Sequence, residues 1–199
     1  MLTSDYDTQA SFYGVKKACE PVHVQLDLSK DNVAVVNMTN APLNGLSVSA
    51  RVYSLDDKLL LQREERRDAV ADAVAEGYKL DLAPLLTSNG IVFVKLEESV
   101  WRSGIGEFPL VRRESASLRR LDRLPAASLS VTAKSLLAGE NIRVRVELWN
   151  TGIVPSLADK LTLFNADGSR MYFSDNYVSL QPGESRENQN RVSCELWKR

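Results

Sequence analysis

The chain has 199 residues, enough for one large domain or two small ones, and its hydrophobic (44%) and charged (26%) fractions are those of an ordinary globular protein. Its 25 Lys and Arg nearly cancel its 26 Asp and Glu, which argues against a nucleic-acid module held by a global positive field. No apolar run approaches the roughly 20 residues of a membrane helix. Two cysteines, Cys19 and Cys194, and one histidine, His23, are too few classical ligands for a zinc-ribbon or zinc-finger site.

Met1-Leu-Thr-Ser-Asp has neither the cationic start nor the apolar core of a signal peptide. Either the protein is cytoplasmic or the chain is a piece of something longer. Val22-His-Val-Gln-Leu-Asp-Leu28 alternates with period two and places Val22, Val24, Leu26 and Leu28 on one strand face. Ser29 to Asn32 reads as a turn, and Asn32 to Asn37 as a short β-branched strand. Asn40 to Gly45 is a loop by its Pro and Gly. Leu46 to Tyr53 alternates again, Leu55 to Lys58 turns, and Leu59 to Gln62 resumes the partner strand. The Ala-rich segment from Glu64 to Glu76 admits a helix, since Val70 and Val74 are four apart. A strand is favoured, because the flanking segments are strands and connections between strands are short. Ile91 to Leu96 is the most strand-like run of this half.

A boundary is expected near Leu121-Asp-Arg-Leu-Pro125, after the basic stretch Arg112 to Arg120. Beyond it come a strand from Ser128 to Ala133, a turn at Ala138 to Glu140, and a strand from Asn141 to Trp149. In that last strand Ile142, Val144, Val146 and Leu148 point inward, and Asn150-Thr-Gly152 ends it. Leu161 to Phe164, the turn Asn165 to Gly168, and Arg170 to Phe173 form a hairpin. Leu180-Gln-Pro-Gly-Glu184 turns again, and Arg191 to Trp197 is the last strand. Short strands at this spacing predict an all-β chain of two immunoglobulin-like β-sandwich domains in tandem. The cores are expected around Leu26, Val48, Val52 and Phe93 in the first, and around the four inward residues of the Asn141 to Trp149 strand in the second.

No arrangement carries catalysis. His23 has the polar phase of its strand, and the cysteines lack a Cys-x-x-Cys context. The doublets Glu64-Glu65 and Glu97-Glu98 sit on strands, where neighbours face opposite ways, so neither flanks one glycosidic bond. No Gly-rich phosphate loop follows a strand, and no cofactor or metal is expected. Trp101, Trp149 and Tyr177 are the candidate sugar-contact or interdomain aromatics, with Tyr172, Phe173 and Trp197 beside them. Asn37-Met-Thr39 fits a glycosylation acceptor, a pattern common by chance.

Two stretches are more specific: Tyr6-Asp-Thr-Gln-Ala-Ser-Phe-Tyr-Gly-Val-Lys-Lys-Ala-Cys-Glu-Pro-Val-His23, and Tyr172-Phe-Ser-Asp-Asn-Tyr-Val-Ser-Leu-Gln-Pro-Gly-Glu-Ser185. Both resemble the C-terminal part of glycoside hydrolase family 2 enzymes, in the exo-β-D-glucosaminidase and β-mannosidase branch. The resemblance implies that residues 1–20 leave a catalytic (β/α)8 barrel that would precede residue 1. It implies a first sandwich over 21–121, a linker over 122–127 and a smaller terminal sandwich over 128–199. The family's acid/base Glu follows an Asn, and no Asn-Glu dipeptide occurs here. The resemblance therefore implies a non-catalytic accessory fragment of a retaining exo-β-glycosidase, whose partner is the barrel of the parent chain. The alternative is a carbohydrate-binding module using exposed aromatics. Neither reading includes nucleic acid or membrane. Without the barrel, Tyr6, Phe12, Tyr13 and Val15 lose their cover. The first segment is then expected to be mobile, to pack on a neighbouring chain, or to fold back on the first sandwich. The stretch from Arg186 to Asn190 is short for what the family places before its final strand, and Trp101 to Leu110 departs from the family pattern.

Overall fold

The computed structural model describes residues 9–100, 102–105, 110–112, 121, 124–138, 141–164, 170–171 and 173–193. The chain divides into two compact units, Lys17–Leu124 and a second formed by Met1–Lys16 with Pro125–Arg199. Helix α1 (Ala10–Ala18) opens the described chain. The first unit then runs β1 (Val22–Asp27), β2 (Asn32–Asn37), β3 (Leu43–Tyr53), β4 (Leu59–Ala69), β5 (Ala73–Lys79), α2 (Ala83–Asn89), β6 (Ile91–Val100), β7 (Arg102–Ile105) and β8 (Leu110–Arg112). One antiparallel sheet has the order β1-β2-β5, and the other β4-β3-β6-β7 with β8 also along β6.

The core between these sheets follows from period-two alternation. Leu46, Val48, Ala50 and Val52 of β3 are at most 1% exposed and share a face with Val92, Val94 and Leu96 of β6. Val24, Val33 and Val35 close the same cluster from the other sheet. Each such Val or Leu side chain contributes about 1.5–3 kcal/mol over an exposed one. Leu26 is half-buried against this core. Phe93 departs from the expected core: it is buried, but on the opposite face of β6, across from Tyr53, because strand neighbours alternate sides. Leu28 is the exception to the predicted face: β1 ends at Asp27, where the Asp27 carboxylate caps a turn through Ser29, and Leu28 is exposed. β3 starts at Leu43 and takes in the last three residues of the predicted loop, with Gly45 in the left-handed region (φ 69°) at a register shift.

The Ala-rich segment is strand, not helix. The chain leaves one sheet at the end of β4 and enters the other at β5, turning at Val70-Ala-Asp72, with Asp72 at φ 50° donating its N–H to Thr39 O at 2.9 Å. Val70 and Val74 are both exposed, so their spacing marks no buried face. Arg63, Glu65 and Arg67 lie on the inner face of β4, where edge β5 leaves the gap between the sheets open. Arg63 Nη1 donates to Lys79 O (3.0 Å), Arg67 Nη2 to Gly77 O (3.3 Å), and both guanidiniums hold Glu65. Tyr78, under the Arg63 guanidinium, donates its hydroxyl to backbone carbonyls of β3 and β4, and burial pushes its pKa up to about 12. Helix α2, which the pattern did not predict, begins with Pro84 in its first turn and packs Leu85 and Leu86 on the core.

The second unit contains β9 (Leu129–Ala138), β10 (Asn141–Asn150), β11 (Ser156–Asp159), β12 (Leu163–Phe164), β13 (Arg170–Met171), β14 (Val178–Leu180) and β15 (Ser185–Ser193). β9 and β15 flank β10, β11 pairs with β14, and β12 with β13 as the predicted hairpin. Val146, Leu148, Val178 and Leu180 are buried, and Val144 is half-buried. The side chain of Ile142, the turns at 139–140 and 165–168, and residues 194–199 with Cys194 and Trp197 lie outside the described residues. The last strand starts at Ser185, not Arg191. It begins directly after the Pro-Gly-Glu turn, where Gly183 sits at φ 77°, so Arg186 to Asn190 are strand rather than connection.

Asn37 ends β2 fully buried. Its Nδ2 donates to the carbonyls of Ala41, Ala69 and Val70 at 2.9–3.2 Å, and its Oδ1 accepts from Thr39. This is a structural corner, and a buried amide committed to three carbonyls does not serve as a glycan acceptor. The match of Asn37-Met-Thr39 to that pattern is coincidental.

Candidate functional site

The two segments that carry the family resemblance meet in the second unit. Helix α1 presents Tyr13, the one buried residue of the helix, at 3% exposure. Its ring centroid is 6.0 Å from that of Tyr177, and Phe12 stands edge-on to it at 5.1 Å. One turn further on, Lys16 Nζ donates to the carbonyl of Ser174. For the helix, residues 10–18, the structure differs from the expectation of a mobile segment or of cover for the first sandwich or another chain. Tyr13 finds its cover on Tyr177, while Phe12 and Val15 remain exposed on the helix. Tyr6 lies outside the described residues.

The Ser174–Tyr177 loop is built to hold its shape. Buried Asn176 pairs with the backbone of Leu161 in both directions, accepting from its N–H at 2.6 Å and donating to its carbonyl at 2.8 Å. The Asp175 carboxylate accepts from the Asn176 N–H at 2.9 Å and pairs with Arg186 at 3.3 Å. These contacts fix Tyr177 in the left-handed region, φ 55°, a conformation with a cost for an aromatic residue. Lys160 Nζ lies 5.8 Å from the centre of the Tyr177 ring. The sequence points to Tyr177 but does not mark Asn176, Lys16 or Tyr13 as its supports. The only sequence signal for them is that they belong to the same two motifs.

The other candidates are dispersed. Trp101 lies outside the described residues, and so does Tyr172. Phe173 is buried, whereas Trp149 is 51% exposed on β10. His23 is half-buried, with Nδ1 3.0 Å from Glu20 O, and Cys19 is an exposed free thiol. Each carboxylate of the two doublets has its own surroundings. Glu64 accepts from Ser47 Oγ, and Glu65 is held below the ordinary carboxylate range chiefly by its hydrogen bond from Arg63. Glu97 bonds Arg51 at 2.8 Å and Lys95 at 3.2 Å. Glu98 is pushed up by burial, with Oε2 unpartnered. Among the described residues no group of three or more His, Cys, Asp or Glu is placed to hold a metal ion. No helix there is long and apolar enough to cross a membrane.

Residues 109–198 match the family described as the exo-beta-D-glucosaminidase Ig-fold domain. The chain is 38% identical over 208 residues to the exo-beta-D-glucosaminidase of Amycolatopsis orientalis, an alignment covering 90% of this chain and 20% of that protein. Against the exo-beta-D-glucosaminidase of Streptomyces avermitilis it is 24% identical over 214 residues, covering 93% and 24%. The chain is homologous to the immunoglobulin-like, C-terminal region of exo-β-D-glucosaminidases. The solved structure of an Amycolatopsis orientalis exo-chitosanase with PNP-β-D-glucosamine shares its fold, with a TM-score of 0.80 at 21% identity, over 97% of this chain and 26% of that one. The chain thus spans a fifth to a quarter of the length of the exo-β-D-glucosaminidases it matches. What it matches is their accessory, non-catalytic part, all-β and immunoglobulin-like.

Proposed function

We propose that the chain serves as the buttress of a catalytic barrel in a retaining exo-β-glycosidase that acts on β-linked glucosamine. Residues 1–20 form the connection to the barrel, 21–121 the first sandwich, 122–127 the linker and 128–199 the terminal sandwich. The observation that carries this reading is the meeting of the two motif segments. Helix α1 is anchored through Tyr13 and Lys16 on the Ser174–Tyr177 loop, and it leaves Phe12 and Val15 uncovered. An exposed apolar pair on an anchored element suits a contact surface.

The test is to express the barrel of the parent enzyme separately and titrate it with this chain. Association is expected, together with slower thermal loss of the barrel's hydrolysis of p-nitrophenyl β-glucosaminide. A Phe12→Ala/Val15→Ala double variant should weaken both effects while leaving the chain folded. Absence of association with wild type, or association insensitive to the double variant, overturns the proposal.

A further inference from the structure

Trp149 lies in the middle strand of the β9-β10-β15 sheet, so its exposure is not that of a strand edge. Its direct neighbours on the two flanking strands are Ser130 and Ser185, too short to cover an indole. Two residues back on the same face, about 7 Å along the strand, is Glu147, exposed and flanked by Thr132 and Glu187. Two carboxylates directly across from each other are a destabilising cross-strand pair. Glu187 is offset by Arg145 Nε at 3.2 Å, but Glu147 has no ion-pair partner among the described residues. The surface beside the indole thus combines an uncovered aromatic face, three hydroxyls and an unpaired negative charge.

We infer that this sheet face binds a β-linked amino-sugar chain: Trp149 stacks on the apolar face of one pyranose ring, the hydroxyls of Ser130, Thr132 and Ser185 bond its polar edge, and Glu147 receives the protonated amine of the neighbouring unit. Arg143 and Lys134 lie further from the indole on the same face, so the amine is received at Glu147 rather than beyond it. The glucosamine class rests on the function proposed above. The site itself rests on Trp149, Glu147 and the three neighbouring hydroxyls, and the barrel-association experiment involves none of them.

The experiment is titration of the 199-residue chain with a glucosamine pentamer and with cellopentaose at mildly acidic pH, followed by amide and indole NMR shifts. Glucosamine pentamer should shift the Trp149 indole and the Ser130, Thr132, Glu147 and Ser185 amides, and added salt should weaken it. Glu147→Gln should reduce glucosamine affinity about tenfold and leave cellopentaose unchanged. Trp149→Ala should abolish both, and Trp149→Tyr should restore part of each. No shift on this face with the pentamer, or equal affinity for both sugars with no effect of Glu147→Gln, overturns the inference.

Discussion

Asn150 occupies in the second unit the position that Asn37 occupies in the first. Each is the fully buried last residue of the middle strand of a three-stranded sheet, and each stands five residues before a proline, Pro42 or Pro155. Asn150 Nδ2 donates to Val154 O at 2.8 Å and Leu180 O at 3.0 Å, while its Oδ1 accepts from Gly152 N. The parallel extends to the backbone. Met38 N donates to Pro21 O ahead of β1, and Thr151 N donates to Ser128 O ahead of β9. In both units the amide ties the loop after the middle strand to the end of the strand that precedes the sheet's third member.

The first prediction follows from that bonding. Asn150→Ala leaves the buried Leu180 carbonyl and the part-buried Val154 carbonyl and Gly152 N–H without this partner, and at about 1–3 kcal/mol for a buried group the second unit should lose about 2 kcal/mol. Asn150→Asp should be worse than Ala at neutral pH, because it sets a carboxylate against two carbonyl oxygens. Urea denaturation followed by residue-resolved NMR, which separates the units, checks the order. Equal stability of the Asp and Ala variants contradicts it.

How much of this was legible beforehand depends on what a pattern encodes. Strands with one buried face, such as β3, declare themselves, because Leu46, Val48, Ala50 and Val52 alternate with polar residues. β6 is buried on both faces from Ile91 to Leu96, so only its β-branched richness marked it. Helix α1 buries only Tyr13, and Gly14 interrupts it, so no apolar stripe signals it. Helix α2 is two turns anchored by Leu85 and Leu86, too short for periodicity. The Asn37 and Asn150 corners share an Asn-x4-Pro spacing that is informative only once both loops are known to close the same way. The contact of Tyr13 with Tyr177 joins chain ends that no local pattern connects. The exposure of Trp149 depends on Ser130 and Ser185, which are neighbours only in the folded sheet.

Gly77 supplies the second prediction. A Cβ built at this position of β5 would stand 2.5 Å from the Val33 carbonyl oxygen, a backbone atom that cannot swing aside. Gly77→Ala should therefore destabilise the first unit by about 1–3 kcal/mol, the cost of overpacking. Its chemical-denaturation midpoint should fall without a change in slope. A neutral or stabilising result would mean that β5 slides freely against β2.

Glu98 supplies the third. It lies on the β6 face shared with Val48, and burial raises its folded pKa, with His23 lowering it and Glu20 raising it by smaller amounts. A carboxyl with a raised folded pKa contributes its stability below the unfolded pKa and loses it as pH rises through the folded value. Charged Glu98 is thus a burden at neutral pH. Glu98→Gln should raise the melting temperature at pH 7, and the advantage should vanish below the ordinary carboxylate range. A gain that persists undiminished in acid would assign the effect to packing rather than to charge.

The last prediction separates the two aromatic neighbours on helix α1. Tyr13 is buried against Tyr177, so Tyr13→Ala removes a whole ring from a closed contact. The second unit should lose about 3–5 kcal/mol, the range for buried aromatic truncations. Tyr177 would also lose part of what holds it at positive φ, so the Ser174–Tyr177 amides should exchange faster with solvent. Phe12, 39% exposed one residue earlier, touches Tyr13 edge-on but is not enclosed. Phe12→Ala should change stability by no more than about 0.5 kcal/mol, as surface substitutions do, and leave exchange at Ser174–Tyr177 unaltered. The opposite ranking, with Phe12 the costlier residue in the isolated chain, would mean that the helix turns its other face to the Tyr177 loop in solution, and the anchoring role of Tyr13 would have to be abandoned.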